Sequence, residues 1–167
     1  MKTNLLIYFG IVTIGLITLY LLNAIINRFT KGRVPENDTP LSVDVLKSFV
    51  FTAAGVSMSE LVMPFQNLIK VSTSVVDKQT LLQNNVAYLS VFYGISFVAY
   101  LANLWFASLI YGLVNNEKNI FIESVNNNLG GVILYGGFLL MLTFLLKPEL
   151  GYLLDQFIPY NRISQYN

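Results

Sequence analysis

One acidic side chain lies inside an apolar stretch of this sequence, where it could serve ion or proton chemistry. Glu60 falls within residues 46–68, a run long enough to cross a bilayer as a helix. A carboxylate inside a membrane is energetically costly, so it usually faces a protein partner, a cavity or an ion pathway. Glu60 is therefore the first candidate for a proton or cation pathway.

Glu60 belongs to a stripe of residues that a helix would present on one face. The stripe is Ala53, Ser57, Glu60, Pro64 and Asn67, spaced by three or four residues. Pro64 has no N–H, so the Glu60 carbonyl loses its usual helical partner and could join the carboxylate in holding a cation or relaying a proton. We take Glu60, Ser57 and Asn67 as pathway candidates. The alternative is a neutral Glu60 hydrogen-bonded to another helix, where it would serve assembly.

A second intramembrane polar residue, Asn103, completes the pathway candidates. It lies in the series Ala99, Asn103, Ala107 and Tyr111, in which the residues are four apart. Small neighbours allow another helix to approach closely, so we expect Asn103 near Glu60 or against an adjacent subunit. An ordinary hydrogen bond between helices is the simpler alternative.

Four glycines in the last apolar segment indicate close helix packing. They form two pairs, Gly130 with Gly131 and Gly136 with Gly137. Gly130 and Gly137 share a face, because seven residues make about two helical turns. We expect all four, together with Pro64, to be packing positions within the chain or between chains.

The absence of histidine and cysteine excludes several kinds of chemistry. Disulfides, thiol nucleophiles, imidazole acid–base catalysis and the usual zinc and haem ligands are not available. No dinucleotide-binding, P-loop or zinc-protease motif occurs. A net charge of +1 gives no reason to expect nucleic acid as a partner. We therefore predict no catalytic residues, no metal and no cofactor, and a protein that is not an enzyme.

Composition places the candidate residues in a membrane. The 167 residues are 54% hydrophobic and 11% charged, with a mean hydropathy of +0.60, whereas soluble domains average about 25% charged residues. In lipid, each apolar segment must satisfy its own backbone N–H and C=O groups, and a helix does so within the segment. We predict an all-α polytopic membrane protein. Its four transmembrane helices are expected at about residues 4–26, 46–68, 86–114 and 128–146.

The linkers are too short for a folded domain, so residues 1–167 are expected to form a single membrane domain. The first apolar run is long for a signal peptide and lacks a cleavage site, which favours a retained helix. Beyond Pro148, helical spacing of apolar residues predicts a C-terminal amphipathic interfacial helix in a tail of residues 148–167. A helix packed against the bundle is the open alternative. The apolar positions are Leu150, Leu153, Leu154, Phe157 and Ile158.

The two halves of the chain share a layout. A long apolar helix, a polar linker and a helix rich in small residues occur in repeat 1, about residues 4–70, and again in repeat 2, about residues 86–147. Two-helix repeats have the same orientation and would be related by an axis along the membrane normal. The recurring positions are Ser48, Gly55 and Val56 in the first repeat and Ser124, Gly131 and Val132 in the second.

Acidic residues followed by Asn and glycines lead into the last apolar segment, from Glu117 and Glu123 to Asn128-Leu129-Gly130-Gly131. With the two-repeat layout, this motif resembles a bacterial inner-membrane family of four-helix proteins known as domain of unknown function 350. The resemblance covers most of residues 4–146. It implies a multi-pass protein of the bacterial inner membrane, and it implies no activity.

The distribution of basic residues predicts the orientation. Loops one and three carry as many Lys and Arg residues as the opposite side, so the overall count does not decide. The first helix usually dominates, and it has one basic residue before it and four after it, up to the first residues of the second helix (Arg28, Lys31, Arg33 and Lys47). We therefore expect loops one and three in the cytoplasm and both termini outside it.

These patterns favour a small channel- or transporter-like membrane protein with Glu60 in or near its pathway. Four helices enclose little polar space, so a pore would need a homo-oligomer. The alternative is a scaffold or accessory subunit of a membrane complex, in which the glycines and polar residues serve assembly alone. The expected partners are the lipid bilayer and either further copies of the chain or other membrane proteins.

Overall fold

The computed structural model describes residues 2–31, 39–73 and 78–158, with side chains at 9–31, 39–71 and 86–158. This part of the chain folds into six helices, and a 3-10 turn at Ser59–Leu61 joins the second to the third. The helices are α1 (Lys2–Thr30), α2 (Leu41–Met58), α3 (Val62–Thr73), α4 (Lys78–Val114), α5 (Ile120–Val125) and α6 (Leu129–Asp155).

Four stretches of these helices are long and apolar enough to cross a membrane. The second combines α2, the 3-10 turn and α3, and it begins at Leu41 rather than near residue 46. The described chain thus confirms the prediction of an all-α, multi-pass membrane protein with four spans. They are Phe9–Thr30, Leu41–Val71, Val86–Val114 and Leu129–Asp155.

The second span lies parallel to α6 and the segment that leads into it. Contacts along the whole length of both join residues whose numbers keep an almost constant offset. This register places Glu60 and Asn67 beside positions of α6, and Ser42 beside the segment that leads into it. The joined pairs are Ser42 with Asn127, Phe49 with Gly136, Glu60 with Lys147, and Asn67 with Asp155.

The helix α4 runs antiparallel to α6 and closes the bundle with large aromatic side chains. Tyr111 lies against Gly131 near the start of α6, and Asn103 bonds Thr143 further along it. Tyr100 is 1% exposed and donates a hydrogen bond to the Val50 carbonyl at 2.6 Å. This bond ties the centre of α4 to α2.

The outer surface of the bundle is apolar. Large hydrophobic side chains are exposed along the first, third and fourth spans, among them Tyr20, Val98 and Phe144. A water-soluble monomer rarely exposes so much contiguous apolar surface, and these faces suit contact with lipid. Several polar side chains within the spans are buried, among them Thr18, Ser57, Asn103 and Thr143.

The Asn-rich linker before α6 builds helix caps. The Asn119 side chain accepts from the Phe121 N–H at 2.9 Å and starts α5, a short helix within a segment expected to be a linker. The Asn128 side chain accepts from the Gly131 N–H at 3.0 Å and starts α6. The Asn128 amide also donates to Glu123 of α5, which ties the cap of α6 to the preceding helix. Such side-chain acceptors satisfy N–H groups that the first turn of a helix leaves unpaired.

The predicted helix break at Pro148 is wrong. Helix α6 continues through Pro148 to Asp155, so no separate interfacial helix follows the fourth span in the described residues. Proline removes one hydrogen bond and usually kinks a helix, but packing can keep the helix continuous. Leu150, Leu154 and Ile158 are buried against the bundle, as the alternative interpretation required. Residues 159–167 of the predicted tail lie outside the described residues.

Two adjacent glycines of α6 provide a matched test of this packing. A Cβ added at Gly136 would lie 2.4 Å from the Phe49 ring, whereas one added at Gly137 would have no neighbour within 4 Å. We expect Gly136→Leu to lower the free energy of unfolding by about 1–3 kcal/mol or more, because overpacking displaces α2. Gly137→Leu should leave it nearly unchanged. Unfolding of the detergent-solubilised chain measures both, and equal stability of the two variants would contradict the α2–α6 register.

Candidate functional site

The Glu60 carboxylate lies where the second span changes its helical winding. The residues Ser59–Leu61 form a 3-10 turn between α2 and α3, and the buried Pro64 follows in the first turn of α3. Residue 64 cannot supply the N–H that the Glu60 carbonyl would bond in an α-helix. A tighter turn next to a proline is the expected local response to the missing donor.

Glu60 forms an ion pair with Lys147 of α6. The Lys147 Nζ lies 3.2 Å from a Glu60 carboxylate oxygen, and the two side chains are 35% and 24% exposed. The other carboxylate oxygen lies against Gly151, where an added Cβ would be 2.9 Å away. The absence of a side chain at Gly151 therefore leaves room for the Glu60 carboxylate beside α6.

The ion pair lies beyond the midpoint of both spans, and the contact between Asn67 and Asp155 lies further along. At 1.5 Å per residue, Glu60 is about 28 Å from Leu41 along the second span, and Lys147 is about 27 Å from Leu129 along α6. A hydrocarbon layer of about 30 Å that begins at these helix starts ends close to the pair. The carboxylate is thus paired with a cation, and a layer placed in this way would set it close to the polar boundary.

Asn103 bonds α6 rather than Glu60. Its amide donates to the Thr143 hydroxyl at 2.8 Å, and that hydroxyl donates to the Leu139 carbonyl at 2.7 Å. Thr143 has a single hydroxyl proton, so the Asn103 amide group must be the donor between them. The Asn103 side-chain oxygen is consequently left buried without a hydrogen-bond partner.

The two polar contacts occupy consecutive turns of α6. Thr143 and Lys147 are four residues apart, so they share one face of the helix. Asn103 is thus held one turn from the ion pair of Glu60, although the two side chains have different partners. Asp155 lies on the same face of α6, and it accepts a hydrogen bond from the Asn67 amide at 3.2 Å.

The stripe predicted around Glu60 faces the interior of the bundle. Ala53, Ser57 and Pro64 are buried, and Glu60 and Asn67 both have partners on α6. The two longer polar side chains of the stripe thus pair with α6, and the other three positions are enclosed by the bundle.

The four glycines divide into two kinds. Gly131 and Gly136 lie at close approaches, because an added Cβ would meet the Tyr111 hydroxyl at 2.5 Å or the Phe49 ring at 2.4 Å. Gly130 and Gly137 are exposed, and their added Cβ atoms would meet no other helix. Packing within the chain thus requires Gly131 and Gly136, which are not the pair that shares a face by seven-residue spacing.

Sequence reasoning missed the α6 half of this site. Thr143, Lys147, Gly151 and Asp155 are each four residues apart, which is a signal that could have been found. Interpreting Pro148 as a helix end separated the first two from the last two. Residue spacing alone therefore does not identify Lys147 as the partner of Glu60.

A cavity of about 280 Å³ lies beside the ion pair, between α4 and α6. Ser57 of α2 also contributes to its wall. Within the described residues, no three His, Cys, Asp or Glu side chains are grouped so that they could hold a metal ion. The lining residues are Ser57, Ala99, Tyr100, Ala102, Asn103, Phe106, Thr143, Leu146, Lys147, Glu149, Leu150 and Leu153.

The Asn103–Thr143 contact can be tested by a double-mutant cycle. We expect Thr143→Val to lower the free energy of unfolding by about 1–2 kcal/mol, because it leaves the buried Asn103 amide without its acceptor. Asn103→Leu combined with Thr143→Val should cost less than the sum of the single changes, since no polar group then remains unpaired. Equilibrium unfolding in mixed detergent micelles measures all three variants. Strictly additive effects would mean that the two side chains do not interact.

Comparisons with known proteins identify no relative of this arrangement. No family model matches the chain, no curated protein matches it, and no solved structure matches it. The resemblance to the family known as domain of unknown function 350 therefore stays a prediction from the sequence. The conclusion that the chain is a multi-pass membrane protein rests on its four apolar spans.

Proposed function

We propose that this chain is a small channel- or transporter-like protein in which the Glu60–Lys147 pair lies on the pathway of a proton or cation. The pathway would form between copies of the chain, because one four-helix bundle offers little polar space. We place the protein in the bacterial inner membrane, on the basis of the family resemblance. No catalytic role is proposed for its residues.

The observation that carries this proposal is the partly exposed ion pair between two membrane-spanning helices. Glu60 is 24% exposed and Lys147 35% exposed, so solvent or a neighbouring copy can reach both. Protonation of Glu60, or arrival of a competing cation, would release Lys147 and weaken the contact between the second span and α6. Ionisable groups within membrane spans commonly mark ion or proton pathways.

A scaffold function is the second candidate, and a different observation favours it. The polar contacts Asn103–Thr143 and Asn67–Asp155 both join a neighbouring helix to α6, as the ion pair does. Contacts of this kind stabilise helix association in membranes by about 0.6–2 kcal/mol each. In this alternative Glu60 holds the bundle together and moves no ion.

The transport proposal predicts a specific effect of removing the Glu60 charge. We expect proteoliposomes containing the wild-type chain to pass protons or a monovalent cation above the protein-free rate. Glu60→Gln should lower this flux by about tenfold or more, equivalent to about 1.4 kcal/mol on the barrier. Stability should change by about 1 kcal/mol or less, because the pair is partly exposed. A pH-sensitive dye or an ion electrode follows the flux.

Glu117→Gln is the matched control, since Glu117 is exposed in the loop after α4 and outside the spans. It should leave the flux unchanged. If Glu60→Gln transports as well as the wild type, or if the wild type transports nothing, the pathway proposal fails. Loss of assembly in Glu60→Gln without any wild-type flux would support the scaffold alternative.

We also propose that loops one and three lie in the cytoplasm and the termini outside it. The chain has no cysteine, so single cysteines introduced at exposed positions report the side directly. Asn126→Cys, before α6, and Gln156→Cys, after it, should react with a membrane-impermeant maleimide from opposite sides of intact cells. We expect labelling from outside at residue 156 and protection at residue 126. The reverse pattern would show that the first-helix rule failed here.

A further inference from the structure

The exposed face of the second span differs from the outer faces of the other three spans. Its exposed positions recur every three or four residues, so they form one stripe along the helix surface. Between Leu41 and Met63, which are 63% and 68% exposed, the stripe contains no large apolar side chain. We call its central part the hydroxyl face. The hydroxyl face consists of Ser48, Thr52, Gly55 and Ser59.

Lipid chains offer no hydrogen bonds to the hydroxyl face. The second span has a mean hydropathy of 1.4, whereas the other spans have 1.7 or 2.2. The hydroxyls of Ser48 and Ser59 donate to carbonyls of their own span, at 2.9 and 2.7 Å. The Thr52 hydroxyl lies between them, well inside the span, and makes no hydrogen bond with the described residues. A hydroxyl in hydrocarbon without a partner is unfavourable, so we expect protein or water to meet this face.

The same residues allow another helix to come close. Ser48 and Thr52 are four residues apart, and so are Gly55 and Ser59. Two small residues at this spacing let the backbones of membrane helices approach each other. A Cβ added at Gly55 would have no neighbour within 4 Å, whereas at Gly136 an aromatic ring of the same chain occupies that space. Gly55 is thus open to a helix from outside the chain.

A second copy of the chain is the partner that this face fits best. Copies inserted in one orientation present identical residues at equal depth, and a hydroxyl both donates and accepts, so it can pair with its own copy. Asp44 extends the stripe by one turn, but it lies in the first turn of α2, where water at the membrane boundary screens repulsion between copies. The face also continues into the candidate site, because Ser59 precedes Glu60, which is 24% exposed.

We propose that two copies of this chain associate in parallel through the hydroxyl face. One Thr52 hydroxyl donates to the other at the centre of the contact, and Gly55 lets the two backbones approach closely. The pathway of the proposed function forms between copies, and this interface names the surface at which they meet. Association without ion flux would refute the transport proposal alone. Flux from copies that do not meet at this face would refute the interface alone.

Disulfide crosslinking tests the interface on the full chain in phosphatidylcholine liposomes. The chain has no cysteine, so each variant carries a single one. Oxidation should join Thr52→Cys and Gly55→Cys into dimers roughly tenfold faster than the control variants, because close Cβ atoms form a disulfide without backbone movement. The matched controls are Val98→Cys and Phe144→Cys, at exposed positions of the third and fourth spans.

Two open glycines on different spans provide a second test that needs no crosslink. A Cβ added at Gly55 or at Gly137 would have no neighbour within 4 Å, so neither substitution should disturb the fold of a single copy. Gly55→Leu should weaken dimer formation by about tenfold, because it holds the two helices apart. Gly137→Leu should leave dimer formation unchanged. Energy transfer between fluorescently labelled chains, measured over a range of protein-to-lipid ratios, gives the association constants.

Equal rates of crosslinking at residues 52, 98 and 144 would overturn the interface, because they would reflect random collisions in the bilayer. Equal association of Gly55→Leu and the wild type would do the same. Absence of crosslinks at residues 52 and 55 would also overturn it, and a water-soluble thiol reagent then identifies what meets the face. Rapid labelling of Thr52→Cys would show water there, and no labelling would show lipid.

Discussion

The parallel packing of the second span against α6 and the segment before it determines which partners three polar side chains of that span find. A single register places Ser42, Glu60 and Asn67 beside Asn127, Lys147 and Asp155. Lipid offers no hydrogen bonds, so polar side chains in a membrane bundle must be paired by the neighbouring helices or by a polar boundary. A shift of this register would separate the ion pair and the two hydrogen-bonded pairs together.

Close approach of helices makes that register specific. The Phe49 ring occupies the space that a side chain at residue 136 would need, and the Glu60 carboxylate occupies the space beside Gly151. At the start of α6, the Tyr111 hydroxyl does the same at Gly131. Bulky or charged groups on α2, the 3-10 turn and α4 thus fit against glycines on α6. This fit of large groups against glycines favours one register of the helices, whereas apolar side chains alone would tolerate several registers.

The Glu60–Lys147 pair and the cavity between α4 and α6 have a residue in common. Lys147 is ion-paired with Glu60 and also lines the cavity. Thr143, one turn earlier, holds the Asn103 amide and lines the same cavity. Two turns of α6 therefore connect the ionisable pair with the unpaired acceptor. Any molecule in the cavity would lie next to the residues on which the proposed ion pathway depends.

The sequence by itself determined the fold class, the four spans and the inward-facing stripe that contains Glu60. Run length and composition suffice for this, because lipid permits few backbone arrangements and a helix fixes which residues share a face. The sequence also identified Glu60 as a candidate functional residue. The family resemblance, the activity and the orientation remain predictions.

Only the tertiary structure decided which side chains meet. Lys147 and Glu60 are far apart in the sequence, and their pairing depends on the register between two helices, which residue spacing within one helix cannot reveal. The continuation of α6 through Pro148 depends on packing of Leu150 and Leu154 against the bundle, so local proline rules gave the wrong answer. Gly131 and Gly136, rather than Gly130 and Gly137, lie at the close approaches because the rotation of α6 is set by its neighbours and not by its own sequence.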